Sequence, residues 1–416
     1  MSSPNPAPTP AARRSEGALS LYRLLDPAVL ADPYPLYHRL REEAPVHWDP
    51  YLFSWVVTRY ADVQTVLHSY SAERTPTPEQ LTHMGLESFN PVAQVMVKQM
   101  LFLDGEAHQR LRGLAAYAFT PGRVAVLRGH IEQIVHQLID EVQSKGRMDL
   151  VRDFANPLPS IVTAEMLGVP VADRFQLKEW SADFAEMLGN FQHNPGRLPR
   201  VLKSVEEMTA YFRNAIREIR AKPREGLIHA FLTAETNGDR FTDEEVIANV
   251  IVTMVGGQET TTNLIGNGIL TLLRNPVQLQ RLRSDYSLIQ SAVEELLRYE
   301  SPSQHTARLA PEDTELGGMV IRKRQAVMAV MAAANRDPDR FPNPDDLDLG
   351  RKENKHLAFG HAAHFCFGAP LARMEGQLAF EALLRRLPDL ALDPDAKLVW
   401  RHNLGLRGLN ALPVVF

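Results

Sequence analysis

One short stretch gathers most of the residue types from which chemistry is built. Phe359-Gly360-His361-Ala362-Ala363-His364-Phe365-Cys366-Phe367-Gly368 runs straight into Ala369-Pro370-Leu371-Ala372-Arg373-Met374-Glu375. Cys366 is the only cysteine in a chain of 416 residues. A helical pattern begins just after it, so the sulfur stands at a helix N-terminus. There, partial positive charge and free N–H groups favour thiolate over thiol. Small residues let the backbone pass close to a flat ligand, and the ring of Phe359 can shield the sulfur from water. The plainer alternative is a buried structural cysteine, which is what most free cysteines are. Another is zinc held by His361, His364 and Cys366, although structural zinc wants four ligands and no second Cys/His cluster is evident.

A second constellation, Gly256-Gly257-Gln258-Glu259-Thr260, lies in the middle of an apolar helical pattern. Two mid-helix glycines cost about 2 kcal/mol relative to alanine. An acid and an alcohol beside a local helix distortion can order water and relay protons. The alternative is a polar face turned toward a neighbouring helix. A third pair, Glu295 and Arg298, is spaced i, i+3, which puts both side chains on one helix face.

The cysteine stretch resembles the haem-binding loop of the cytochrome P-450 family, Phe-Gly-x-Gly-x-His-x-Cys-x-Gly. Every fixed position matches except the second glycine, which is Ala362 here. Alanine in a left-handed turn at that point costs roughly 1–2 kcal/mol. The glycine pair with its acid and alcohol is similar to the family's oxygen-binding segment, Ala/Gly-Gly-x-Asp/Glu-Thr. The resemblance implies that Cys366 ligates the iron of heme b and that Phe359, Gly257 and Gly368 lie beside the cofactor. It further implies that Thr260 hydrogen-bonds the oxygen and that Glu259 passes protons inward. The segment His108-Gln109-Arg110-Leu111-Arg112 looks like the family's His-x-x-x-Arg helix, Arg308 matches a further arginine, and His364 a fourth contact. All four face the haem propionates by that match, and four such donors suit two carboxylates in a partly buried pocket. Glu295 and Arg298 match a core ion pair that braces the cysteine loop. The matches keep the family's order from His108 to Glu375.

Positioning these residues takes a largely helical scaffold. Thr242-Asp243-Glu244-Glu245 fits a capping box. The helix it opens can run to Arg274, ahead of Asn275-Pro276, about 33 residues or roughly 50 Å. Pro33 to Glu43 reads as a helix, and Val46-His47-Trp48 and Ser54 to Thr58 as two strands. From about Glu73 to Leu103 the pattern is a long loop with short helical pieces, and a loop of that length is usually functional. Helical periodicity dominates from His108 to about Leu227, punctuated at Thr120-Pro121-Gly122, Asn156-Pro157, Gly168-Val169-Pro170 and Asn194-Pro195-Gly196. Short strands follow around Met319-Ile321 and Ala326-Val330, then a Pro/Asp-rich coil, the cysteine loop and a helix from about Ala369 to Arg386. The expected fold is mainly α with small β-sheets, the cytochrome P-450 fold in a single domain over 18–416. Residues 1–17, rich in Pro, Ser and Ala, read as a disordered leader.

Composition narrows the function. The chain is 44% hydrophobic and 23% charged, with a formal charge of −5. No long basic run speaks for nucleic acid, and no segment is apolar and long enough for a membrane anchor. One cysteine requires no oxidising compartment, so the expected location is cytoplasmic.

The resemblance implies a monomeric monooxygenase that puts one atom of O2 into a lipophilic substrate, by hydroxylation or epoxidation. The chain ends soon after its last strands. Electrons are therefore expected from a separate ferredoxin or flavodoxin with its NAD(P)H-dependent reductase. The expected docking face surrounds Cys366 and includes Arg110, Arg112 or Arg373. The expected pocket draws on the loop Glu73 to Leu103, a lid at Leu188 to Val201, the helix near Met254 to Gly257, Gln304-His305 and Leu404 to Leu409. Wording around Arg298 to Gln304 resembles macrolide hydroxylases and fatty-acyl-oxidising members. A peroxygenase, a haem sensor and a colourless zinc protein are the rival classes.

Overall fold

The computed structural model describes residues 19–116, 121–189, 195–236 and 238–416. The leader, Thr120 of the first expected turn, Asn194 of the last one and part of the expected lid lie outside them. Eight helices build the frame: α1 Gly105–Ala116, α2 Arg128–Gln143, α3 Pro157–Leu167, α4 Arg174–Gly189, α5 Leu198–Ala221, α6 Asp243–Arg274, α7 Ile289–Tyr299 and α8 Ala369–Arg386. A four-stranded sheet stands at one side: β1 Val46–Asp49, β2 Ser54–Val57, β3 Thr306–Leu309 and β4 Ala326–Ala329, in the order β1-β2-β4-β3.

Local chemistry explains most element ends. Thr242 caps α6 by accepting from Glu245 N (3.2 Å), while the Glu245 carboxylate accepts from Thr242 N (2.8 Å). Three acids in the first turn suit the helix dipole. The helix stops before Pro276, which opens the next one. α3 opens on Pro157 and ends on Gly168 at φ +79°, a left-handed cap that glycine adopts without strain.

α6 is the axis. Its residues up to Val255 pack with α4 and α5 into one apolar cluster, and those from Leu264 pack with α2, α7 and α8 into another. The polar segment 256–263 falls at the seam between the two. Gly268 makes room for the α8 side, because a Cβ there would stand 2.4 Å from the Phe380 ring.

The sheet joins distant segments. β2 pairs in parallel with β4 (Trp55 opposite Val327), and β4 pairs antiparallel with β3 (Val327 opposite Arg308). Thr306–Leu309, which carries Arg308, is thus a strand that the sequence pattern did not announce.

Candidate active site

The cysteine loop is held by its own backbone. Cys366 N donates to Phe359 O (2.9 Å), Phe365 N to Ala362 O (3.0 Å) and Gly360 N to Leu357 O (2.9 Å). Ala362 sits at φ +55° and Gly360 at φ +75°, so the expected left-handed alanine is present. Phe359 packs edge-on near Phe365 (6.2 Å between centroids), and Arg373 lies over its ring at 4.7 Å. Arg112 reaches the loop from α1, donating to Phe365 O at 2.6 Å.

Cys366 is partly exposed at the start of α8, and a Cβ on Gly368 would stand 3.9 Å from its sulfur. Burial pushes the thiol up. The N–H groups of Gly368 and Ala369 and the charges of Arg112 and Arg373 pull it down without overcoming that. A cation bound at the sulfur reverses this balance, as metal ions do for thiols.

Beside the loop stands a cluster of donors. His108 is buried and its Nε2 has no partner. Its ring lies 4.2 Å from that of His364, whose Nε2 is 3.3 Å from Asp104 Oδ1. Arg308 is buried on β3, donating to Thr306 Oγ1 (3.2 Å) and Ala307 O (2.9 Å), with Nε unpartnered. Burial lowers the basicity of all of them. Arg308 falls to about 10, and His364 to about 4 with help from Arg308 and His108. His108 and Arg112 also fall. The cluster is short of negative charge and fits carboxylates that the chain itself does not supply.

Across from the loop, the centre of α6 supplies the other half. Gly256 is exposed, with open space where a Cβ would be, in the middle of a helix otherwise largely buried. Gly257 is turned differently: a Cβ there would stand 3.3 Å from Thr163 Oγ1 of α3. The open position belongs to Gly256, and Gly257 serves the close approach of α3. Thr260 Oγ1 donates to Gly256 O at 2.7 Å.

Glu259 is buried and clamped by two cations, Lys178 Nζ at 2.5 Å from Oε1 and Arg401 Nη1 at 2.7 Å from Oε2. Burial raises this carboxyl, but Lys178 and Arg401 outweigh it and the net shift is downward. Both cations escaped sequence reading. They lie 81 and 142 residues away, and nothing local marks them.

Glu295 and Arg298 form a fully buried pair, with two contacts of 2.8 Å. Arg298 also donates to the carbonyls of Asn335, Pro344 and Asp346, and Glu295 also accepts from Arg351, Asn354 and Asp348 N. The pair therefore ties α7 to the coil that leads into the cysteine loop. Of the arginines expected to greet a redox partner, Arg373 is paired with Glu294 (2.7 Å) and Arg110 with Asp239 (3.2 Å) and Glu245. Their charge is already engaged.

An apolar cavity of about 500 Å³ opens between the sheet and the segment 74–102. Met84, Val92 and Met96 line it, with His305 and Leu404 as expected. The β1–β2 turn, Leu52 to Ser54, also contributes, whereas Met254 to Gly257 do not line this cavity.

An electron-poor cradle beside a single thiol, with a long unbroken helix that carries an open glycine at its centre, is the arrangement a haem-thiolate protein needs. The family described as cytochrome P450 matches residues 54–396. The biotin-biosynthesis cytochrome P450 of Bacillus subtilis is 40% identical over 392 residues, covering 93% of this chain and 97% of that one. Among solved structures, P450BioI in complex with an acyl carrier protein ligated to hexadec-9Z-enoic acid superposes with a TM-score of 0.88 at 38% identity. That match covers 94% of this chain and 99% of that one. A myxobacterial cytochrome P450 in complex with myristic acid gives a TM-score of 0.86 at 38% identity, covering 95% and 98%. The chain belongs to the cytochrome P450 family. It is a haem-thiolate monooxygenase that puts one atom of dioxygen into a lipophilic organic substrate, with haem iron as cofactor and electrons from a separate redox partner.

Proposed function

We propose that Cys366 holds the iron of heme b, with Phe359 and Gly368 beside the cofactor and His108, Arg112, Arg308 and His364 on its two carboxylates; on α6 the open face is that of Gly256, in place of the expected Gly257. Two buried donors without partners, His108 Nε2 and Arg308 Nε, carry the assignment. A buried polar atom left unpaired costs about 1–3 kcal/mol, and a bound carboxylate removes that cost. The thiolate-ligated haem supplies oxygen activation, because the sulfur pushes electron density toward O–O cleavage. The chain's own residues orient the substrate and meter protons.

Glu259 and Thr260 are the proton-handling pair. Lys178 is partly exposed and touches Glu259 Oε1, so it links a buried carboxylate to solvent. Thr260 Oγ1 spends its hydrogen on Gly256 O and keeps its lone pairs for a proton arriving from Glu259. Release of the Glu259 clamp is then part of each proton transfer.

The partner is a ferredoxin or flavodoxin with its NAD(P)H-dependent reductase, and the protein works in the cytoplasm as one domain from about residue 18. Among the described residues no helix is long and apolar enough to cross a membrane.

The reduced, carbon-monoxide-treated protein tests the ligand. A far-red Soret band that is lost in Cys366→Ser is expected, and a band unchanged in that variant would overturn the assignment. Thr260→Ala tests the relay. Electron use should continue while product per electron falls roughly 10²–10⁴-fold, the usual contribution of positioned proton transfer. Full coupling in the variant would refute it.

A further inference from the structure

Arg74 lies in the loop expected to line the pocket but was given no role of its own, and among the described residues it has no ion-pair partner. Its Nη1 donates to Ala72 O at 3.3 Å, and its guanidinium lies over the Phe102 ring at 4.5 Å. Asp104, the nearby carboxylate, is already taken by Ser71 Oγ, Ala72 N and His364. Burial and the neighbouring Arg308 lower Arg74 to about 9.

Its place is unusual. Arg74 lines the apolar cavity of about 500 Å³, whose other walls are neutral side chains such as Met84, Phe89, Val92 and Met96. It also lines a second pocket, of about 510 Å³, on the outer side of the same loop. That outer pocket holds Glu73, Gln80, His83 and Arg324, and the two share Arg74, Thr75, Pro76 and Met84. The apolar chamber thus adjoins an outer vestibule that, unlike the chamber, has further charged side chains in its lining, Glu73 and Arg324, and Arg74 stands at the threshold. Apart from Arg74, the vestibule lining holds one base, Arg324, and one acid, Glu73, so it adds no net charge of its own and Arg74 leaves the doorway positive.

We propose that Arg74 receives the carboxylate of an amphiphilic substrate, a long-chain acid whose hydrocarbon part fills the apolar cavity and whose charged end stays at the vestibule. This rests on the haem-thiolate reading and names the substrate class for it. The bulk of the chamber accepts hydrocarbon, as ligand pockets of a few hundred Å³ generally do. A planar guanidinium is the donor best matched to a carboxylate. Held at the doorway, the head group fixes how deep the chain reaches and hence which carbon is oxidised.

Binding of dodecanoate and of methyl dodecanoate to the haem-loaded protein, measured by calorimetry, tests this. The acid should bind at least tenfold tighter than the ester. Arg74→Met should weaken the acid by about 10–100-fold, the scale of a charge-assisted hydrogen bond, and the ester less than about twofold. Arg74→Lys, which keeps the charge, should fall between. Equal weakening of acid and ester, or unchanged acid binding, overturns the proposal. Should Arg74→Met instead shed haem or shift its reduction potential with acid binding intact, the carboxylate on Arg74 is the cofactor's and the substrate assignment falls. Acid selectivity that depends on Arg74, in a protein without the far-red carbon-monoxide band, would retain this inference while removing the haem-thiolate reading.

Discussion

Replacing Glu375 by glutamine should make the protein's stability respond differently to pH. Glu375 lies on α8, buried, with Oε2 lacking any partner. Burial pushes its carboxyl from 4.5 up to about 8. An acid whose folded pKa stands above its unfolded value holds its proton more tightly when folded. Its contribution is complete below the unfolded pKa and is lost as pH rises through the folded one. Between about pH 5 and pH 7.5 the wild type should therefore lose about 3 kcal/mol that a glutamine, which does not titrate, keeps. Urea unfolding of the two haem-loaded proteins at both pH values reads this out. Near pH 5 they should be close, and near pH 7.5 the variant should be the more stable relative to that baseline. A stability difference constant across the range to within about 1 kcal/mol would show that Glu375 is solvated or paired, and the reasoning from its burial would fail.

Three further outcomes follow from the same structure. Arg298→Met leaves a buried carboxylate with part of its network, so unfolding stability should fall by about 3–5 kcal/mol; a loss under about 1 kcal/mol would contradict the buried pair. Lys178→Met should cost about as much for the same reason, and Lys178→Met with Glu259→Gln should regain most of it, which a double-mutant cycle measures as coupling. Ala362→Gly relieves a left-handed alanine worth roughly 1–2 kcal/mol. It gives back about 0.4–1 kcal/mol as unfolded-chain entropy. A small net stabilisation should appear in the unfolding midpoint, and a clear destabilisation would mean that the φ of +55° carries no strain.

Much of the frame was legible along the chain, because helix signals are local. The capping box at Thr242, the proline at 157 and the glycine at 168 mark element ends through interactions within a few residues. The cysteine loop was legible for a related reason. Its fixed residues serve one short backbone path, so they stay together in sequence. Arg308 was visible as a residue but not as part of a strand, since β3 exists through its ladder to β4, which continues to β2, and through a bridge from Leu309 to Ser71.

By its own sequence the chain determined its helical class, its thiol at a helix start and the polar break in its longest helix. Folding decided which cations reach Glu259, which of two glycines faces open space, and that Arg74 guards an apolar chamber. Periodicity and caps act over one or two turns. Charge pairing, desolvation and cavity walls depend on side chains brought together from segments far apart in sequence, and no local pattern records that meeting.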